Sequence, residues 1–249
     1  MKNYVPSTDL LKDRVILVTG ASSGLGRLAS LAYARHGATV ALLARDEAKL
    51  EAVYDEIIEA GGPQPAMFPF DLAVADEHAL EAIAGVIGHH LKQLDGILHS
   101  AYAFTNLCPL HLQTMDQWQM LFKVNLIAPF ALTRACLPYL QKAPDASVIF
   151  TGDTHGHRPA AYWGGYAVTK CSLEAMVKIW SDELERNARI RMNTLIPGPV
   201  ATTLQTRTHP GQLATSLPAA SSLIPHYLYL MGPDSRSIRG QIVECQPGL

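Results

Sequence analysis

Short apolar runs alternate with helical patterns along almost the whole chain, and this alternation most strongly constrains the fold. Apolar residues recur at helical spacing between the runs, as in Leu50, Val53 and Ile57. Seven runs have the composition of buried strands: residues 14–19, 39–44, 66–71, 96–100, 147–151, 189–196 and 241–244. Strict strand–helix alternation predicts an α/β fold, a Rossmann-type doubly wound domain with a seven-stranded parallel sheet flanked by helices.

The length of 249 residues, 48% of them hydrophobic, suits one large domain over residues 1–249 better than two small ones. The least regular stretch, residues 203–222, is rich in Thr, Ser, Ala and Pro and follows Pro197-Gly198. It is long enough for a substrate flap over a site. An ordinary surface excursion is the alternative.

Charge and apolar patterning exclude several functional classes. The net charge is -2 and no basic run occurs, which argues against nucleic acid as a partner. Residues 1–14 lack the apolar core of a signal peptide, and no uninterrupted apolar run approaches the roughly 20 residues of a membrane span. We therefore expect a cytoplasmic protein that does not enter a membrane.

Cysteine and histidine spacing predicts neither disulfides nor a metal site. The cysteines are scattered, as expected of reduced thiols: Cys108, Cys136, Cys171 and Cys245. The closest histidine pairs are 89–90 and 155/157, and neither has carboxylate or thiol companions at ligand spacing. We expect no bound metal.

A glycine-rich turn after the first strand predicts a nucleotide site. The segment Thr19-Gly-Ala-Ser-Ser-Gly-Leu-Gly26 follows a strand and opens a helix, the context in which such a pattern is informative. Glycines let the backbone approach a pyrophosphate, and the helix N-terminus offers free N–H groups. The candidate cofactor-binding residues here are Gly20, Ser22, Ser23, Gly24, Leu25 and Gly26.

The end of the second strand favours NADP over NAD. An NAD site places a carboxylate there to bind the ribose 2′-hydroxyl, but this chain has Ala44 followed by Arg45. A guanidinium suits a 2′-phosphate, although Asp46 stands one residue later. Asp71, at the end of the third predicted strand, is a candidate acceptor for adenine, an N-cap for the next helix, or both.

Tyr166 and Lys170 lie four residues apart in a helical pattern and therefore share one helix face. A nearby ammonium can lower the pKa of a phenol and make it a usable proton donor or acceptor near neutral pH. Together with the glycine-rich turn, the pair predicts hydride transfer accompanied by proton transfer.

In these motifs the chain resembles the short-chain dehydrogenase/reductase family. The resemblance covers nearly the whole length and rests on the glycine-rich turn, Asp71-Leu72, Asp95-Gly-Ile-Leu98, Asn125 within Lys-Val-Asn-Leu, Tyr166-x-x-x-Lys170 and Pro197-Gly-Pro-Val-Ala-Thr202. It implies a nicotinamide cofactor and a carbonyl or alcohol substrate. Dimers or tetramers formed through the helices that carry Asn125 and Tyr166 are also implied.

The resemblance also implies residue roles. Tyr166 would exchange a proton with the substrate oxygen, Lys170 would bind the nicotinamide ribose, and Asn125 would hold a relay water. The remaining cofactor contacts implied are Leu72, Ser100, Ala101, Pro197, Gly198, Val200 and Thr202. A local helix kink is the alternative explanation of Asn125.

Two positions depart from the family pattern. The usual Asn-Asn-Ala-Gly after the fourth strand is His99-Ser-Ala-Tyr102, which places a large ring at Tyr102 and changes the pocket. Asp153 stands where the family keeps a serine that donates a hydrogen bond to the substrate carbonyl. An ionised carboxylate cannot donate; it would also raise the pKa of Tyr166, opposing Lys170.

Several interpretations of Asp153 remain open from sequence. A protonated Asp153 would donate as serine does, if an apolar pocket raised its pKa, or Thr154 would take the donor role. Functionally, we expect an NADP-dependent oxidoreductase of small carbonyls or alcohols that favours reduction. The alternatives are a catalytically weakened NADP-binding sensor or scaffold, and an enzyme that anchors a cationic or donor-bearing substrate on Asp153.

Overall fold

The computed structural model describes residues 4–185 and 189–247 and is built on one parallel sheet. Its seven strands are ordered β3-β2-β1-β4-β5-β6-β7, and every neighbouring pair is parallel. The strands are β1 (Val15–Thr19), β2 (Thr39–Ala44), β3 (Ala66–Pro69), β4 (Gly96–His99), β5 (Ala146–Thr151), β6 (Ile190–Ile196) and β7 (Ile242–Glu244). The predicted fold class and strand set are confirmed, with ends displaced by at most two residues.

Helices cover both faces of this sheet. They are α1 (Gly24–Arg35), α2 (Glu47–Glu59), α3 (Glu77–His90), α4 (Met115–Phe122), α5 (Ala128–Leu140), α6 (Thr154–His157), α7 (Gly164–Glu183), α8 (Thr203–Thr208) and α9 (Ile224–Met231). One core cluster joins the sheet to α1, α2 and α9, and another joins it to α3, α5 and α7. This two-sided burial explains why the strands are apolar without alternation.

Helix caps fix where several of these elements begin. Asp46 caps α2 and Asp76 caps α3 through hydrogen bonds to backbone N–H groups three residues on. Thr114 and Gln117 form a capping box at the start of α4. The suggestion that Asp71 caps the third helix is wrong: the third strand ends at Pro69, and Asp71 Oδ1 instead accepts the backbone N–H of Ala73 at 2.9 Å.

A π-helical segment, Lys123–Ile127, joins α4 to α5. The resulting helical stretch, Met115–Leu140, is long and apolar enough to cross a membrane by length and composition. Its inward face packs in the core against the sheet, through Leu132, Cys136 and Leu140 among others. A core helix of this kind meets the same criteria as a membrane span.

Candidate active site

The site lies where the strand order reverses, between β1 and β4. Chain connections leave these strands in opposite directions, which opens a crevice at their carboxyl ends. Thr19 joins the two sides, because its Oγ1 accepts the backbone N–H groups of Ser100 and Ala101, each at 3.2 Å. Sequence analysis did not single out this role of Thr19, since it depends on a contact across 81 residues.

The three glycines of the turn are required for different reasons. A Cβ at Gly20 would lie 2.7 Å from the backbone nitrogen of Ala101, and one at Gly26 would lie 2.3 Å from the carbonyl oxygen of Gly20. Gly24 has open space around it, but its φ of +54° favours glycine. The backbone here is therefore packed as closely as a pyrophosphate cradle requires.

The first turn of α1 is free to bind an anion. Ser23 occupies the N-cap position but makes no capping hydrogen bond, and no acidic residue lies in the first turn. Ser22 and Leu25 are half-buried on either side of it. Unsatisfied N–H groups at a helix N-terminus, close to a glycine cradle, fit the pyrophosphate of a dinucleotide.

Arg45 is exposed and forms no hydrogen bond or salt bridge with any described residue, although its charge interacts with that of the neighbouring Asp46. Asp46 is already engaged: its carboxylate caps α2 and lies 2.7 Å from Nζ of Lys49. The Asp46 carboxylate is therefore engaged by the N-terminus of α2 and by Lys49. The Arg45 guanidinium remains available to bind a phosphate group. Leu72 is buried behind the neighbouring loop, and Asp71 is half-buried beside it.

Tyr166 and Asp153 are hydrogen-bonded to one another. The Tyr166 hydroxyl donates to Oδ2 of Asp153 at 3.1 Å, and the tyrosine is only 3% exposed. Both positions follow from local structure: Tyr166 lies in the first turn of α7, and Asp153 is the N-cap of α6 just beyond β5. The only proton of the phenol is therefore directed at a carboxylate.

Lys170 is buried behind this pair. Its Nζ donates to the carbonyl oxygen of Thr151 at 2.8 Å and lies 5.8 Å from the centroid of the Tyr166 ring. Burial lowers the pKa of Lys170 to about 8, although the charge of Asp153 opposes this shift. The lysine can thus lose its proton at mildly alkaline pH.

The electrostatics of the phenol differ from the expectation based on Lys170. Burial, followed by the charge and hydrogen bond of Asp153, raises the pKa of Tyr166 well above its ordinary value. The lowering of the Tyr166 pKa that was expected from the Lys170 ammonium is therefore outweighed. The net rise in this pKa is the effect predicted for the neighbouring Asp153 carboxylate. In this arrangement the phenol remains protonated at neutral pH.

Asp153 is ionised at neutral pH. Burial raises its pKa, but hydrogen bonds from the side chain and backbone of His155 and the charge of Lys170 outweigh burial and hold this pKa below its usual value. The hypothesis of a protonated, donating Asp153 is therefore wrong for this arrangement. Its two oxygens accept from Tyr166 on one side and from His155 on the other.

Asn125 lies buried in the π-helical segment and fastens the loop that follows β4. Its Oδ1 accepts the N–H of Ala103 at 2.7 Å, while Nδ2 donates to the Ala103 carbonyl at 3.0 Å and to Oγ1 of Thr169 at 3.1 Å. Both amide hydrogens are thereby used within the protein, so any water held by this side chain would have to donate to Oδ1.

The segment after β6 forms the opposite wall. Gly198 has a φ of +76°, and Gln246 Nε2 donates to the carbonyls of Pro197 and Pro199, each at 2.9 Å. Val200 is buried, and Thr202 is the N-cap of α8. Gln246 thus pins this wall, and no local pattern near residue 246 indicates it.

A cavity of about 640 Å³ opens between α6 and the segment around α8. Its lining consists of Asp153, Thr154, His155, Trp163, Gly198, Pro199, Leu204, Gln205, Thr208, His209, Gly211 and Gln212. The lining residues fall in two stretches, 153–163 and 198–212, and none comes from residues 102–112. Trp163 is the only tryptophan, tyrosine or phenylalanine among them.

Loop 102–112 contributes behind the cavity instead. Phe104 packs edge-on against Tyr166, with ring centroids 5.2 Å apart. Arg207 of α8 donates to the carbonyl oxygen of Thr105 at 2.8 Å and covers the Phe104 ring. Tyr102 lies half in solvent and adds to the rise in the pKa of Tyr166.

His155 is the main site residue that sequence analysis did not assign. It follows Asp153 by two residues, and its imidazole stacks on Trp163 with centroids 3.6 Å apart. Within residues 4–185 and 189–247, no three His, Cys, Asp or Glu side chains are grouped to hold a metal ion, and the four cysteines are free.

Comparison with known proteins agrees with this geometry. The short chain dehydrogenase family model matches residues 14–212. The oxidoreductase YciK of Escherichia coli K12 is 40% identical over 99% of this chain and 97% of its own length. A 3-oxoacyl-[acyl-carrier-protein] reductase of Thermotoga maritima is 26% identical over 96% of this chain and 98% of its own.

Solved structures are similarly close. A short chain dehydrogenase from Pseudomonas syringae superimposes with a TM-score of 0.95 at 40% identity, covering 98% of this chain and 99% of that one. A short chain dehydrogenase from Escherichia coli CFT073, solved in complex with NADPH, superimposes with a TM-score of 0.94 at 40% identity. The match covers 97% of this chain and 100% of that one.

Proposed function

Because the chain belongs to the short-chain dehydrogenase/reductase family, we propose that it is an NADP-dependent oxidoreductase that works chiefly as a reductase of small carbonyl compounds. The observation that carries this direction is the hydrogen bond from Tyr166 to the ionised Asp153. A phenol kept protonated by a neighbouring carboxylate is prepared to give a proton and poorly prepared to take one.

The residues present fit the cofactor. NADPH, when bound, supplies the hydride. The glycine cradle and the open N-terminus of α1 would hold its pyrophosphate, and Arg45 would pair with the 2′-phosphate. Asp71, Leu72, Ser100 and Ala101 would border its adenosine side, and Pro197, Gly198, Val200 and Thr202 the nicotinamide side. Relatives solved with NADP and NADPH support NADP as the cofactor, and we favour it over NAD on the strength of Arg45.

Tyr166 would donate the proton to the carbonyl oxygen as negative charge develops there. It would then be left as a phenolate beside Asp153, an arrangement that favours rapid reprotonation. Lys170 would stabilise that phenolate and hold the cofactor ribose. Asn125 would fasten the loop after β4, and its Oδ1 would accept a hydrogen bond from a water molecule. The segment 203–222 would act as a flap over the substrate, since its residues line the cavity.

The alternative is a weakened NADP-binding sensor or scaffold. The specific observation in its favour is that the one phenolic proton points at Asp153, which cannot orient a carbonyl. An enzyme that anchors a cationic substrate on Asp153 is less well supported, because His155 and Tyr166 already occupy both oxygens of that carboxylate.

We further propose a cytoplasmic homodimer or homotetramer. Apolar side chains are partly exposed on α7 and on the helical stretch Met115–Leu140. They are Val168 and Ile179 on α7, and Ile127 and Phe130 on that stretch, among others. Phe130 packs against Trp180 of α7 at 5.6 Å between ring centroids, which joins these exposed residues into one surface. Surfaces of this kind commonly mark subunit contacts.

The test is NADPH oxidation with 2,3-butanedione, a small reactive diketone, by the wild type and by Tyr166→Phe. We expect turnover by the wild type and a loss of about 10²–10⁴-fold in the variant, the usual contribution of a positioned proton donor. NADPH affinity should be unchanged. A wild type that binds NADPH without turnover, while Asp153→Ser turns over, would favour the sensor or scaffold.

A further inference from the structure

One imidazole nitrogen of His155 is held by Asp153 and the other is open. Nδ1 lies 3.3 Å from Oδ1 of Asp153, and the same oxygen accepts the backbone N–H of His155 at 2.8 Å. Nε2 has no hydrogen-bond partner among the described residues and is not one of the buried nitrogens. The imidazole stacks on Trp163 with 11° between the ring planes. Asp153 therefore fixes the Nδ1 edge of the ring, and Trp163 covers one of its faces.

The charge state of Asp153 determines what Nε2 presents to the cavity. Because an ionised carboxylate only accepts hydrogen bonds, Nδ1 must carry the hydrogen of the neutral ring. Neutral His155 then presents a lone pair at Nε2. Protonated His155 presents an N–H donor there, beside the negative charge of Asp153.

We propose that His155, as the imidazolium, donates a hydrogen bond from Nε2 to the carbonyl oxygen of the substrate. His155 thereby takes the donor role of the family serine, which Asp153 cannot fill because an ionised carboxylate only accepts hydrogen bonds. This inference rests on the proposed function. Asp153 is then a positioning residue that orients the ring, and His155 is a catalytic residue. The proton that ends on the product comes from Tyr166, so His155 keeps its own.

The substrate class follows from the same arrangement. An oxygen that receives both the Tyr166 proton and an imidazolium hydrogen bond carries substantial negative charge in the transition state. A second carbonyl on the adjacent carbon would offer a further acceptor to hydrogen-bond donors that line the cavity. The Gln205 and Gln212 side chains are examples, and Gln205 Nε2 donates a hydrogen bond to Gln212 Oε1 at 2.6 Å. The arrangement suits 1,2-dicarbonyl compounds.

Other titratable groups surround His155 and need controls. Asp153 precedes α6, and Tyr166 and Lys170 face it from α7. His209, after α8, lies 6.4 Å away between ring centroids and is bonded to Oγ1 of Thr208 at 2.9 Å. A pH effect is therefore assigned to His155 only if His209→Gln retains it.

Two variants give matched comparisons. His157 lies in the same short helix and is also paired with a carboxylate, Glu174 at 3.0 Å, but it does not line the cavity. Thr154 lines the cavity and carries the competing hydroxyl donor. His157→Ala therefore controls for structural damage, and Thr154→Val tests the alternative donor.

The kinetic experiment measures kcat for NADPH oxidation with 2,3-butanedione from pH 5.5 to 7.0, which lies below the pKa of about 8 of Lys170. In the wild type we expect kcat to be higher at lower pH, because only the imidazolium form of His155 offers an N–H at Nε2. His155→Ala should lose about 10²–10³-fold at the acidic end, as for removal of one oriented donor. His155→Gln, which keeps a neutral N–H donor, should retain more activity and lose the pH dependence. His157→Ala should behave as the wild type, and Thr154→Val should keep the pH dependence of the wild type.

An activity-independent readout is the tautomer of His155, observed by ¹⁵N NMR of the wild type and of Asp153→Asn. The Nδ1–H tautomer should dominate when the wild-type ring is neutral, and it should lose that dominance in the variant. A dominant Nε2–H form in the wild type overturns the inference whatever the kinetics.

The outcomes separate this inference from the proposed function. If the wild type turns over and Tyr166→Phe does not, yet His155→Ala keeps the wild-type rate and pH profile, only the role of His155 is overturned. Loss of activity in Thr154→Val alone would assign the donor to Thr154. A wild type that binds NADPH but never oxidises it with this diketone overturns the proposed function, and this inference with it.

Discussion

The ammonium of Lys170 is bound by the carbonyl oxygen of Thr151, 2.8 Å away, at the carboxyl end of β5. This contact places a lysine that is 3% exposed between the sheet and α7. A buried ammonium is costly unless it is well compensated. We therefore expect Lys170, the residue proposed to hold the cofactor ribose, to lower the stability of the cofactor-free protein.

Replacing Lys170 by Met should stabilise the cofactor-free protein while abolishing turnover. The folded-state pKa is lowered from 10.5 to about 8, so the unfolded state holds more protons between these values and native stability rises with pH across that window. We expect Lys170→Met to be more stable below pH 8 by up to about 3 kcal/mol. Urea unfolding at pH 7 and at pH 10 measures the difference. Lys178→Met, on the exposed face of the same helix, should show no such window.

Asp153→Ser should lower the pH at which the enzyme oxidises an alcohol. Removing the carboxylate removes the charge and the hydrogen bond that raise the pKa of Tyr166. The kcat for acetoin oxidation with NADP⁺ should then reach half its maximum at a lower pH than in the wild type, because the phenolate forms more readily once the carboxylate is gone. Asp116→Ser, at the exposed start of α4, is the control. An unchanged midpoint would show that Asp153 does not govern the phenol.

Arg45→Ala should weaken NADPH binding and leave NADH binding unchanged. The guanidinium forms no salt bridge with any described residue, so we expect its removal to cost mainly the contact with the 2′-phosphate. A charge-assisted hydrogen bond contributes about 1.5–3 kcal/mol, which corresponds to about 10–100-fold in Kd. Fluorescence titration with both cofactors measures this, and Arg35→Ala at the far end of α1 is the matched control. Equal losses for NADPH and NADH would contradict the assignment.

Asp145→Asn should destabilise the fold without acting on the site directly. Arg191, which is almost fully buried, is paired with Asp145, and Arg14 Nη1 lies 3.0 Å from the same carboxylate. Removing one partner of a buried pair typically costs about 3–5 kcal/mol.

The pH dependence of this effect has a definite sign. Burial raises the pKa of Asp145, but Arg191 and Arg14 outweigh burial and lower it. Its contribution is therefore present above the unfolded-state pKa of about 3.9 and is lost as pH falls through the lower folded-state value. Denaturant unfolding at pH 7 and in acid should show the two proteins converging. Asp182→Asn, at an exposed pair on α7, should change little at either pH.

Local patterns were sufficient for the sheet and for the closely packed glycine turn. The glycines at 20, 24 and 26 could be identified from sequence because a strand–turn–helix junction near a phosphate restricts the backbone in a way that only glycine satisfies. Arg45 and Asp46 were read as competing signals. The structure separates them, because helix capping and Lys49 engage the carboxylate.

The sequence by itself determined the strand–helix alternation, the position of the glycine-rich turn and the shared helix face of Tyr166 and Lys170, since each depends on residues close in the chain. Only the tertiary structure decided that Asp153 is ionised, that the pKa of Tyr166 is raised, and that His155 lines the cavity with Nδ1 beside Asp153. Those properties depend on burial and on hydrogen bonds assembled from β5, α6 and α7. Electrostatic energies depend on distances and solvent exclusion, which residue order does not fix.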